Sequence, residues 1–76
     1  MKQKHELAGS RTVERRCRDG SWEPVEFMEL TSGDIFRMYE QDGEPVVDQK
    51  GRKEWVAAGN PYINKYGIPA IRVYNS

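Results

Sequence analysis

The stretch Leu30-Thr31-Ser32-Gly33-Asp34-Ile35-Phe36 decides how this chain is read. Small polar residues and a glycine suited to a tight turn run straight into an apolar segment. Further turns marked by Gly or Pro follow at short intervals: Asp42-Gly43, Lys50-Gly51, Asn60-Pro61 and Tyr66-Gly67. Segments this short and this often punctuated predict an all-β fold, a small antiparallel barrel of five or six strands.

Downstream of the turn, Phe36 and Met38 point one way while Ile35, Arg37 and Tyr39 point the other. Arg37 belongs in water, so Phe36 and Met38 are expected inside. Asp42-Gly43 closes a hairpin into Val46-Val47, with Pro45 at the start of that strand, where a missing N–H costs little. Lys50-Gly51 then delivers Trp55-Val56-Ala57-Ala58. Residues 60–67 hold Pro61, Tyr62, Ile63 and Tyr66, too apolar to stand free in a loop, and are expected to form one helical or 3-10 turn over the barrel mouth. Ile68 to Tyr74 is rich enough in β-branched and aromatic residues for a last strand, pairing with an early one to close the sheet.

Upstream, Val25 and Phe27 share one face and Met28 and Leu30 the other. Asp19-Gly20 lies between two extended segments, the pattern of a two-residue type I′ hairpin. That register sets Arg16 opposite Glu23 and Cys17 opposite Trp22. It also sets Val13 opposite Glu26, a poor pair that a bulge near Pro24 would relieve. Residues 1–10 are polar with no sustained period and read as a flexible arm. Residues 11–76 then form a single domain.

At 76 residues there is room for one modest core. Twelve basic and twelve acidic side chains cancel, which argues against a dedicated nucleic-acid coat or a polybasic membrane binder. The balance hides an asymmetry: residues 1–18 hold six basic and two acidic side chains, residues 19–54 four basic and ten acidic. Cys17 is the only cysteine, so no intramolecular disulfide staples the core and a reducing compartment is the default. With neither a membrane-length apolar run nor a signal peptide, and with Met1 in place, the expectation is an intact small cytoplasmic protein.

Two resemblances rest on these motifs. Glu29 to Ile35 resembles the E-L-x-F-x-x-G-D turn region of SH3-like barrels, and Glu54 to Ala58 with Gly67-Ile68-Pro69 resembles their central strand and terminal proline corner. The family's A-L-Y-D-Y strand is absent, Arg16-Cys17-Arg18 or Val25-Glu26-Phe27 standing in its place. The resemblance implies a groove for Pro-rich peptides in which Trp55 and Pro69 take part. Gly33 to Arg37, Asp42-Gly43 and Pro61-Tyr62 together are similar to short phage and prophage proteins, a likeness that implies no activity.

Catalysis finds little support. His5 lies in the expected arm, where nothing holds a general base in place. Cys17 is flanked by Arg16 and Arg18, which favour a thiolate, yet a thiol facing a tryptophan in a hairpin behaves as a small core residue. Asp34, Asp42 and Asp48 are turn residues that accept from nearby backbone. A zinc quartet and a calcium ladder are both missing, so a non-enzymatic protein without metal or cofactor is expected. Eight aromatic residues exceed what a thin core holds, which makes Tyr39, Trp55, Tyr62, Tyr66 and Pro69 candidates for contact with another protein or a second copy. The alternative is single-stranded nucleic acid held by Arg11, Arg15, Arg16 and Arg18 beside Trp22. It requires those arginines to share a face that the nearby glutamates do not.

Overall fold

A computed structural model describes residues 3–8, 12–47 and 50–75. The Thr31–Asp34 turn forms as its sequence requires. Asp34 Oδ2 accepts from the backbone N–H and the hydroxyl of Thr31, at 2.9 and 3.0 Å, and Gly33 adopts a φ of 93°. The turn launches β4 (Ile35–Tyr39), in which Phe36 and Met38 are buried and their neighbours half-buried, the expected alternation.

Two antiparallel sheets enclose the core. In the four-stranded sheet, β2 (Thr12–Arg16) lies between β3 (Trp22–Val25) and β4, and β4 pairs with the short β5 (Trp55–Val56). In the three-stranded sheet, β7 (Pro69–Asn75) lies between β1 (Gln3–Ala8) and β6 (Tyr62–Ile63). The sheets are joined where Ala57 bridges Val73 and the Ala58 N–H donates to the Arg72 carbonyl at 2.8 Å. Inward residues from both sheets form one cluster: Val13, Phe36, Met38, Trp55, Ala57, Ile71 and Val73, floored by Phe27 and Leu30.

Several expectations are corrected. The arm expected over residues 1–10 contains a strand: Gln3–Ala8 pairs with β7 from Ala8 opposite Ala70 to Gln3 opposite Asn75. Its backbone groups gain a ladder that an isolated polar segment lacks. The first hairpin closes with three residues, not two. Cys17 N–H donates to Ser21 O at 2.7 Å and Gly20 N–H to Cys17 O at 3.0 Å, so only Gly20 needs a positive φ. Asp19 meanwhile accepts from the Ser21 amide and hydroxyl, at 2.9 and 2.6 Å. The register therefore moves by one: Arg15 stands opposite Glu23, Arg16 opposite Trp22 and Val13 opposite Val25. Two valines now face each other, and no bulge at Pro24 is needed.

The 3-10 turn lies at Phe27–Glu29, not over 60–67. It is held by the Glu26 N–H donating to Glu29 Oε1 at 2.9 Å. Its tight winding buries Phe27 and Leu30 together and leaves Met28 half-exposed, so the strand-like pairing of Val25 with Phe27 and Met28 with Leu30 does not hold. Residues 60–67 instead supply β6, which pairs with β7.

Candidate protein-contact site

The β6–β7 hairpin is built around Asn64. Its N–H donates to the Ile68 carbonyl at 3.0 Å, and its carbonyl accepts from the Gly67 N–H at 2.9 Å. Its side-chain Oδ1 accepts from the Tyr66 and Ile68 amides at 2.9 and 3.1 Å. Gly67, at φ 76°, turns the chain back into the sheet. These hydrogen bonds on one asparagine hold the tip in place.

That tip carries large apolar side chains in water. Tyr66 is 74% exposed, Ile63 58% and Ile68 42%. Ile63 pairs with Pro69 and Ile68 stands opposite Asn64 at the turn, so the two isoleucines lie on opposite faces of the hairpin. Lys65 stands beside Tyr66, its Nζ 5.2 Å from the ring centre. The tip thus holds exposed apolar side chains on both faces of the hairpin, with one ammonium beside Tyr66.

The other expected contact residues fall elsewhere. Trp55 is buried at 2% and lies against Phe36, ring centres 6.1 Å apart, so its expected place on an interaction surface is corrected: it fills the core. Pro69 is half-buried within β7. The groove implied for Trp55 and Pro69 is therefore not formed by these two residues. Tyr39 is half-buried on the outer face of the four-stranded sheet, where the Arg37 guanidinium carbon lies 5.6 Å from its ring and 4.1 Å from that of Trp22. Arg37 Nε also donates to Glu14 Oε1 at 2.7 Å. Beside this stack a cleft of about 230 Å³ opens between Tyr39, Pro45, Lys53 and Glu54.

The arginines of the first hairpin do not share a face. Arg15 donates to Glu23 Oε1 through Nε and Nη2, at 3.1 and 2.6 Å, and lies 3.6 Å from Asp34. The hydrogen bond to Glu23 is the main reason its guanidinium is held above its ordinary basicity. Arg16, next along the strand, points to the opposite face and shares it with Glu14. Arg18 is exposed in the turn, and Arg11 lies outside the described residues. Cys17 is half-buried between Arg16 and Arg18. Among the described residues no group of three or more His, Cys, Asp or Glu side chains is placed to hold a metal ion. No described helix is long and apolar enough to cross a membrane.

Ile68 and Arg37 were not singled out from the sequence. Ile68 had no signal in the alternation, since the residues of its own parity, Ala70 and Arg72, are buried and exposed respectively. Arg37 needed the hairpin register, which the Asp-Gly pair alone leaves open. No family model, curated protein or solved structure matches this chain.

Proposed function

We propose that this protein is a non-enzymatic binding module, its two sheets forming an SH3-like barrel, that contacts another protein through the β6–β7 tip. One observation carries the reading: a tip already fixed by Asn64 holds Ile63, Tyr66 and Ile68 exposed, the two isoleucines on opposite faces of the hairpin and Tyr66 in the turn between them. Apolar groups held in water in one conformation lose little entropy on docking, so their burial is retained as affinity. Tyrosine suits the role because its ring enters an apolar pocket while its hydroxyl stays solvated. Lys65 favours a partner with a carboxylate at the rim of that pocket. Nucleic-acid binding through the first hairpin is the weaker reading, since Glu14 and Glu23 already engage Arg37 and Arg15.

Photo-crosslinking from inside the producing cell tests this. A benzoylphenylalanine in place of Tyr66 is expected to capture a discrete protein, and the same probe at Gln41, in a different hairpin, is not. Ile63→Ser is expected to abolish the adduct without altering the circular dichroism of the fold. Equal labelling from both positions, or capture of nucleic acid in place of protein, overturns the proposal.

A further inference from the structure

The outer edge of β1 is the longest proline-free strand edge left open among the described residues. β3, at the far side of the other sheet, carries Pro24, and β6 is two residues long. Which groups of β1 face outward follows from its partner. The Arg72 carbonyl bonds Ala58 and the Ile68 carbonyl bonds Asn64, so the even-numbered residues here bond away from β1. Ile71, Val73 and Asn75 therefore face β1, opposite Leu7, His5 and Gln3. That leaves Lys4, Glu6 and Ala8 with their N–H and C=O groups directed off the sheet.

An antiparallel strand added there must pair its own outward residues with these. For a second copy of β1, two such registers overlap five residues on each strand. One sets Glu6 against the partner's Glu6. The other is centred on His5 and sets Lys4 against the partner's Glu6 and Glu6 against the partner's Lys4. A shorter overlap sets Lys4 against the partner's Lys4. Like charges directly opposite are destabilising and opposite charges favourable, so one register is selected. We propose that the protein self-associates through β1, in the register that pairs Lys4 with Glu6 across a two-fold axis at His5, joining two three-stranded sheets into one of six strands. The contact is isologous, so it closes at the dimer and does not propagate. It uses main-chain hydrogen bonds for affinity and the Lys–Glu pairs for register. It is independent of the β6–β7 tip.

Sedimentation velocity of the full chain, with Cys17 kept reduced, tests the proposal up to about 1 mM, where even a weak contact assembles by mass action. A dimer is expected. Lys4→Glu and Glu6→Lys each place like charges at both pairs and are expected to weaken it by roughly tenfold or more. Mixing the two variants restores opposite charges at every pair, so a heterodimer tighter than either variant's own dimer is expected. Matching circular dichroism shows that each variant folds. A monomer at all concentrations, a dimer indifferent to both substitutions, or variants that fail to pair on mixing would each overturn the proposal.

Discussion

Trp55 is buried with its indole N–H finding no acceptor among the described residues. An unmet buried donor costs roughly 1–3 kcal/mol, while a smaller ring leaves unfilled volume that costs about as much. The two effects oppose each other in Trp55→Phe, which is expected to shift stability by less than about 1.5 kcal/mol. Trp55→Ala keeps only the cavity and is expected to cost about 3–5 kcal/mol, both being read from urea unfolding. Asp19 makes a second test at this scale. The Ser21 hydroxyl, then its amide, hold the carboxyl below its ordinary range. A carboxyl depressed on folding adds stability above its unfolded value, about pH 4, and loses it as pH falls through the folded value. An NMR titration of Asp19 should therefore show a midpoint below that of the unfolded chain. Ser21→Ala should raise the midpoint.

The same closure recurs in three hairpins. Cys17 to Ser21, Glu40 to Glu44 and Asn64 to Ile68 each bond end to end, with a positive-φ glycine fourth. The glycine is needed for its backbone: no atom lies within 4 Å of where a Cβ would stand on Gly67, yet a side chain there is strained at φ 76°. Gly67→Ala is expected to cost about 1–2 kcal/mol and to speed amide exchange at Tyr66 and Ile68. These turns were legible because Gly, Asp and Asn have few alternatives at such positions. Hairpin type was not, since Asp-Gly suits both two- and three-residue loops, and one residue of register passed Glu23 from Arg16 to Arg15. The inward places of Phe36 and Met38 were legible from a single charged neighbour, Arg37. β1 was not, because a short edge strand that holds Lys4, His5 and Glu6 in sequence lacks the apolar signature of a central one. At the tip, Tyr62 and Tyr66 were readable as surplus aromatics. Trp55 belonged to the same compositional surplus, and only packing separates it from them.

Across the whole molecule, one apolar layer holds two small sheets together. A domain of this size commands only roughly 5 kcal/mol of net stability. Ile71 is fully buried in the central strand of the three-stranded sheet, two residues from the bridge between Val73 and Ala57. Ile71→Ala is expected to cost roughly 2–5 kcal/mol, enough to populate unfolded chains at ambient temperature, with loss of dispersed NMR resonances as the readout. Exposed Val56, on the outer face of β5, provides the contrast: Val56→Ala should shift the unfolding midpoint far less.

The pairing of Gln3–Ala8 with Pro69–Asn75 also orders events during synthesis. The β2–β3 hairpin and its pairing with β4 need only the first half of the chain, but the cover over Val13, Phe36 and Trp55 is completed by Ile71 and Val73. Until those residues leave the ribosome, β1 waits without its partner and the core stays wet. Closure then joins segments more than sixty residues apart, the slow kind of contact that raises exposure to aggregation. Arrested nascent chains ending before Pro69 should be cut rapidly by protease, and chains with β7 clear of the exit tunnel should resist.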